Sequence, residues 1–97
     1  MKKGRAKVVI NWEYGLHLRP ATNIAKLSGK FSCEIKFIKG DNVCNARSVM
    51  GILTLEAQYG DNLYIETYGE DAIDALNELK KFFNEVDEGN DDITGLW

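Results

Sequence analysis

The residues with the clearest chemical potential stand in seven consecutive positions, 15–21, with the sequence GLHLRPA. The chain's one histidine, His17, falls here together with Arg19 and the one proline, Pro20. The apolar spacing after His17 predicts that a helix begins at this point, and the first N–H groups of a helix attract anions. Gly15 permits a sharp turn, Arg19 offers a planar fork of donors to a phosphate, and proline is harmless in a first helical turn. The segment therefore predicts an anion site that contains a nucleophile.

His17 is the candidate nucleophile. An imidazole is largely neutral near the pH of the cytosol, and a neutral imidazole can accept a phosphoryl group. The phosphorus–nitrogen bond suits a carrier that gives the group to another nucleophile, whereas a hydrolase needs a positioned water and a base. The carboxylates of Glu13 and Glu56 do not form a convincing catalytic set with it. The spacing alone leaves a second interpretation open, in which His17 is only a helix cap or a surface residue.

Composition narrows the class of protein. With 97 residues, 44% of them hydrophobic, the chain predicts one small domain with a single core. No apolar run is long enough for a membrane span, and the basic start lacks the apolar stretch of a signal peptide, so we expect a soluble, cytoplasmic protein. The net charge of -3 argues against a general nucleic-acid binder. Residues 1–39 carry +7 and residues 40–97 carry -10, which places an anion or an acidic partner on the amino-terminal part.

The two cysteines, Cys33 and Cys44, flank a predicted hairpin whose turn is KGDN at residues 39–42. If Lys39 faces Asn42, then Cys44 faces Phe37, and Cys33 lies roughly 13 Å further along at the rise of a strand. This separation is too large for a disulfide. We expect two reduced structural thiols and, with one histidine and no Cys-x-x-Cys, no metal site.

Apolar periodicity predicts seven elements. Strand alternation covers residues 3–12, 31–37, 43–46 and 63–68, and helical spacing covers about ten residues from His17 and residues 72–86. Ser48 can cap a further short helix. The order β-α-β-β-α-β-α predicts an α+β fold, an open-faced two-layer sandwich with a four-stranded antiparallel sheet and three helices on one face. We expect one domain over residues 1–88 and an acidic tail over residues 89–97.

Two segments together resemble HPr, the histidine-containing phosphocarrier family of the bacterial phosphoenolpyruvate-dependent phosphotransferase system. They are GLHLRPAT at residues 15–22 and ARSVMG at residues 46–51, and the resemblance extends over residues 5–86. It implies that His17 takes phosphate on its Nδ1 atom from Enzyme I and passes it to IIA domains of sugar permeases. It also implies that Arg19 and the helix start at Leu18 and Pro20 stabilise the phosphate. Such a protein is a carrier with a phosphohistidine intermediate, not an independent enzyme.

The resemblance implies further roles and partners. Ser48 matches a serine that an ATP-dependent kinase, HPr kinase/phosphorylase, phosphorylates in some members, although Ser48 could equally be a plain helix cap. Val49, Met50 and Leu53 match, with Arg19, the surface that meets partner proteins. We expect a monomer with no cofactor, no nucleic-acid partner and no membrane insertion.

Departures from the family pattern keep other functions open. Glu56 stands where sugar-branch members usually have glycine, and residues 12–14 are bulkier than usual. Both features favour, as an alternative, a nitrogen-branch or purely regulatory carrier. An alternative of another class is a small-ligand regulatory module in which residues 15–21 form only a turn. An RNA-binding domain is disfavoured because the central strands lack the basic-aromatic pattern of such domains.

Overall fold

The computed structural model describes residues 1–85 and confirms the predicted α+β sandwich. Four strands form one antiparallel sheet in the order β1-β4-β2-β3. The strands are β1 (Lys3–Val9), β2 (Glu34–Lys39), β3 (Asn42–Asn45) and β4 (Asn62–Tyr68). The helices are α1 (Leu18–Ser28), α2 (Val49–Thr54) and α3 (Ala72–Glu85). Val86, which the sequence placed in the last helix, and the acidic tail over residues 89–97 lie outside the described residues.

The core lies between the sheet and the three helices, because strands and helices each have one apolar side. Strand side chains such as Phe37, Leu63 and Ile65 are fully buried on the helix-facing side of the sheet. Ile24 of α1 and Leu79 of α3 pack against them. Burial of apolar area is the main stabilising contribution to such a layer. No helix among the described residues is long and apolar enough to span a membrane.

The register of the β2–β3 hairpin agrees with the prediction. Lys39 pairs with Asn42 and Phe37 pairs with Cys44. Cys33 and Cys44 are both thiols, and burial raises the pKa of the Cys33 thiol to about 11. Cys33 is therefore protonated at neutral pH, which makes it a poor nucleophile.

Strand β1 ends at Val9, three residues before the predicted end, because the chain pairs with a turn instead of a strand there. Ile10 donates its N–H to Asp61 O at 2.9 Å and accepts a hydrogen bond from Gly60 N at 2.8 Å. Trp12 is nevertheless buried, as the alternation predicted, and its ring stacks on Phe83 of α3 with a centroid distance of 5.3 Å. This contact fixes the chain just before residues 15–21.

Strand β2 begins at Glu34 and not at Phe31, because two charged side chains hold residues 31–33 outside the ladder. The guanidinium of Arg47 donates to Phe31 O and, at 2.9 Å, to Cys33 O. The carboxylate of Asp71 accepts hydrogen bonds from Ser32 N at 2.8 Å and from Cys33 N at 2.9 Å. We call Arg47, Asp71 and residues 31–33 the loop clamp.

The loop clamp makes stability depend on pH. The hydrogen bond from Ser32 N holds the pKa of the Asp71 carboxyl below its ordinary value of 3.8. A carboxyl with a lowered pKa stabilises the fold above its unfolded-state pKa, and this stabilisation is lost as the pH falls through the folded-state pKa. We expect Asp71→Asn to lower the free energy of unfolding at pH 7, because an amide cannot accept both bonds, and the deficit to shrink below about pH 4. Urea unfolding across pH checks this expectation.

Asp74→Asn is the matched control for Asp71→Asn, because Asp74 lies exposed in the first turn of α3, three residues after Asp71. The free energy of unfolding of Asp74→Asn should differ little from that of the parent across the same pH range. If Asp71→Asn lowers the free energy of unfolding by the same amount at pH 7 and at pH 3, the role assigned to the Asp71 carboxylate is contradicted.

Candidate functional site

His17 stands at the amino-terminal end of α1, where the sequence placed it. It is the N-cap residue, with extended backbone angles of φ -86° and ψ -173°, and it makes no side-chain cap hydrogen bond to the helix. Its carbonyl accepts the first helical hydrogen bond, from Ala21 N at 3.0 Å. The side chain is half-buried. The imidazole therefore lies at the positive end of the helix dipole and reaches solvent.

The first turn of α1 determines which amides face an anion at this end. Pro20 is buried and has no N–H, and Ala21 N donates to His17 O. By helix geometry the amides of Leu18 and Arg19 then point toward the amino terminus. The side chain of Arg19 is exposed, and Leu18 is 61% exposed. A planar guanidinium offers a fork of donors that matches a phosphoryl group.

Gly15 makes the turn that presents His17. Its φ is +68°, a region that other residues adopt only with strain. A Cβ added there would lie 2.5 Å from Ala57 O and 2.9 Å from Gln58 Cα, so the two backbones touch. The next residue, Leu16, is buried and donates its N–H to Ala57 O at 2.8 Å. The segment 57–58 thus sets the position of the loop that carries the histidine.

The loop also brings an aromatic ring onto His17 that sequence reasoning did not assign to the site. The ring centroids of Tyr14 and His17 are 6.3 Å apart with an interplanar angle of 82°. In the sequence, Tyr14 stands out only as one of the bulky residues 12–14 directly before residues 15–21.

Helix α2 packs beside α1 and carries the other residues singled out from the sequence. Ser48 caps it, as predicted, because its Oγ accepts a hydrogen bond from Gly51 N at 3.0 Å. Met50 is 72% exposed, whereas Val49 and Leu53 are half-buried against the core. Met50 is therefore the most exposed of these three apolar residues.

Arg47 does not lie where a phosphate on Ser48 would use it. Arg47 directly precedes Ser48 in the sequence, but its Nη2 atom donates to two carbonyls of the loop clamp. The positive charge next to Ser48 has a structural role, because it satisfies backbone acceptors of residues 31–33.

The backbone at Glu56 adopts a conformation that favours glycine. Its φ is +51°, the left-handed region in which helices often end, and glycine adopts it without a Cβ penalty. Lys39 Nζ stabilises this end of α2 by donating to Leu55 O at 3.2 Å and to Glu56 O at 2.9 Å. The Glu56 side chain is exposed, one residue before Ala57, on which the His17 loop rests.

The fold and the histidine at the helix start together define a small phosphocarrier, and comparison with known proteins gives its family. A family model described as the PTS HPr component phosphorylation site matches residues 5–85. The chain is 37% identical over 79 residues to phosphocarrier protein NPr of Shewanella violacea, covering 81% of this chain and 87% of that protein. The chain belongs to the HPr family of phosphocarriers of the phosphotransferase system.

Two further relatives agree with this assignment. Phosphocarrier protein HPr of Pseudomonas aeruginosa is 34% identical over 83 residues, which cover 84% of this chain and 91% of the relative. The crystal structure of HPr-C-His from Thermoanaerobacter tengcongensis superposes with a TM-score of 0.80 at 30% identity, covering 84% of this chain and 91% of that structure.

Proposed function

We propose that His17 accepts a phosphoryl group from phosphorylated Enzyme I and passes it to IIA components of sugar permeases. The observation that carries the proposal is the placement of a half-buried, solvent-reachable imidazole at the amino terminus of the 11-residue helix α1. The partial positive charge of that helix end and the guanidinium of Arg19 would stabilise the phosphoryl oxygens. The protein acts as a cytoplasmic, monomeric carrier that needs no cofactor.

The transfer chemistry follows from a neutral imidazole. The lone pair of Nδ1 attacks phosphorus, the new phosphorus–nitrogen bond forms, and the bond to the Enzyme I nitrogen breaks. In the second transfer a nucleophile of the IIA component attacks phosphorus, and the bond between phosphorus and Nδ1 of His17 breaks. In both transfers the negative phosphoryl oxygens accept hydrogen bonds from the amides of Leu18 and Arg19 and from the Arg19 side chain. These bonds lower the barrier to transfer and supply no base that would activate a water for hydrolysis.

Phosphorylation of variants tests the role of His17. With Enzyme I and phosphoenolpyruvate, the protein should gain one phosphoryl group that is labile in acid and stable in alkali, and His17→Ala should gain none. Arg19→Met should slow the initial rate by roughly tenfold or more, the effect of losing a charged hydrogen-bond donor, with its thermal midpoint almost unchanged. Equal labelling of His17→Ala would contradict the proposal, and a parental rate for Arg19→Met would remove Arg19 from the site.

The partner surface in this proposal combines charge and apolar contact. Arg19 would meet the acidic face of a partner, and Met50 is the exposed apolar residue of α2. An unbranched thioether adapts to several partners, as a carrier requires. Val49 and Leu53 contribute mainly by supporting α2, since both pack against the core.

Glu56 favours a nitrogen-branch carrier as a second candidate. Its exposed carboxylate lies next to the segment that supports the His17 loop, and the NPr relative belongs with this alternative. Initial rates with sugar-type and nitrogen-type Enzyme I at equal concentration decide between the two. Faster labelling by the nitrogen-type donor would assign the chain to that branch.

Ser48 is proposed as a second, regulatory phosphorylation site. It is exposed at the start of α2, and its resemblance to the family's kinase target supports the assignment. HPr kinase/phosphorylase and ATP should label the parent and His17→Ala equally, and Ser48→Ala should remain unlabelled. Labelling of Ser48→Ala would place the modification elsewhere.

A further inference from the structure

The contact between Tyr14 and His17 leads beyond the proposed function. The two ring planes are nearly perpendicular, and this edge-to-face arrangement at a centroid distance of 6.3 Å is attractive for aromatic rings. Tyr14 is 74% exposed, so its ring lies at the rim of the site and contributes little to the core. A large aromatic side chain held against a nucleophile at the surface calls for an explanation other than packing.

The backbone on both sides of Tyr14 is held by contacts with the rest of the fold. Trp12 is anchored in the core by stacking on Phe83, and Gly15 N donates to Trp12 O at 2.9 Å, which closes a tight turn around residues 13 and 14. Gly15 in turn touches the backbone of Ala57. The loop therefore holds the backbone of Tyr14 in place, and from this backbone the ring lies beside His17.

We propose that Tyr14 is a positioning residue for His17, an inference that rests on the phosphoryl transfer proposed above. Its ring restricts rotation of the imidazole and covers one side of it. The unphosphorylated ring is thereby held ready for attack. In the phosphorylated protein the same cover slows hydrolysis, in which a water oxygen bonds to phosphorus, the phosphorus–nitrogen bond breaks and the imidazole nitrogen takes up a proton from the water.

Two substitutions distinguish the effect of the Tyr14 ring from the effects of its hydroxyl group and of its size. Tyr14→Phe keeps the ring, whereas Tyr14→Leu keeps an apolar side chain without it. We expect the Phe variant to match the parent within about twofold. The Leu variant should show a kcat for phosphorylation by Enzyme I that is about three- to tenfold lower, with a similar shortening of the phosphohistidine half-life, as expected for loss of one aromatic contact. Its KM for Enzyme I should change little.

A measurement without any partner keeps this inference separate from the proposed function. In proton NMR of the unphosphorylated protein, the Tyr14 ring current should shift the imidazole protons of His17, equally in the parent and in Tyr14→Phe but not in Tyr14→Leu. If Enzyme I fails to label the parent, the proposed function fails while the NMR result still reports on the contact.

Three outcomes would overturn the role of Tyr14. Parental kcat and half-life in Tyr14→Leu would show that the ring does nothing for the histidine. A rise in KM alone would make Tyr14 a contact for the partner. Equal losses in Tyr14→Phe and Tyr14→Leu would assign the effect to the hydroxyl group. Because Tyr14 is exposed, both variants should fold, and their thermal midpoints check that they do.

Discussion

Replacing Gly15 by alanine is expected to lower the free energy of unfolding by about 3 kcal/mol. Two effects add. The backbone at Gly15 has a φ of +68°, which strains any residue with a Cβ, and the new methyl group would lie 2.5 Å from Ala57 O. Ala57 O is a backbone atom that also accepts the hydrogen bond from Leu16 N, so rotation of a side chain cannot relieve the steric clash.

The same substitution should impair phosphorylation. Relief of the clash must move residues 15–17 away from segment 57–58, and displacement of a reacting group by about 1 Å can cost about a hundredfold in rate. At a temperature where Gly15→Ala is still folded, we expect its phosphorylation by Enzyme I to be at least about tenfold slower than that of the parent.

Gly40→Ala is the matched control for Gly15→Ala. Gly40 has a similar φ of +58°, but a Cβ there would meet no atom within 4 Å. Its cost should be about 1 kcal/mol, the backbone strain alone, with no change in phosphorylation rate. Urea unfolding measures both variants. Equal losses at the two glycines would show that contact with Ala57 does not matter.

Arg47→Met is expected to cost about 3 kcal/mol, because the loop clamp loses its cation. Methionine keeps most of the apolar stem but leaves Phe31 O and Cys33 O without the guanidinium donor in a part-buried region. The Asp71 carboxylate would still accept hydrogen bonds from the amides of residues 32 and 33. We therefore expect greater mobility of residues 31–33 without complete release of the loop. Faster amide exchange around Cys33, with His17 phosphorylation retained, would show this directly.

The controls for Arg47→Met distinguish hydrogen bonding from charge. Lys80→Met removes one exposed positive charge from α3 and should change stability by less than about 0.5 kcal/mol. Arg47→Lys should recover part of the loss, because an ammonium group can reach one carbonyl but lacks the planar fork. A loss in Lys80→Met as large as in Arg47→Met would refute the hydrogen-bond explanation.

The sequence sufficed for the elements that local periodicity determines. The alternation in β4, the spacing of α3, the cap at Ser48 and the register of the β2–β3 hairpin all follow from residue patterns within a few positions, and the structure confirms them. The start of α1 could also be predicted, because proline and the apolar spacing both mark it.

Contacts between segments distant in sequence could not be predicted. The shortening of β2 depends on Arg47 and Asp71, and Asp71 lies 38 residues from Cys33. In the sequence, Asp71 is an acidic residue just before α3, a position that favours a helix start, and nothing local shows that its carboxylate binds residues 32 and 33. Likewise, the left-handed backbone of Glu56 and the ring contact of Tyr14 appear only when the chain is folded.

Phosphorus NMR of the ¹⁵N-labelled protein, after incubation with Enzyme I and phosphoenolpyruvate, tests the central claim most directly. The account predicts one phosphoramidate signal, coupled to the Nδ1 atom of His17, that vanishes on brief acidification and persists in alkali. A phosphate monoester signal, or a phosphoramidate without coupling to this imidazole, would contradict it.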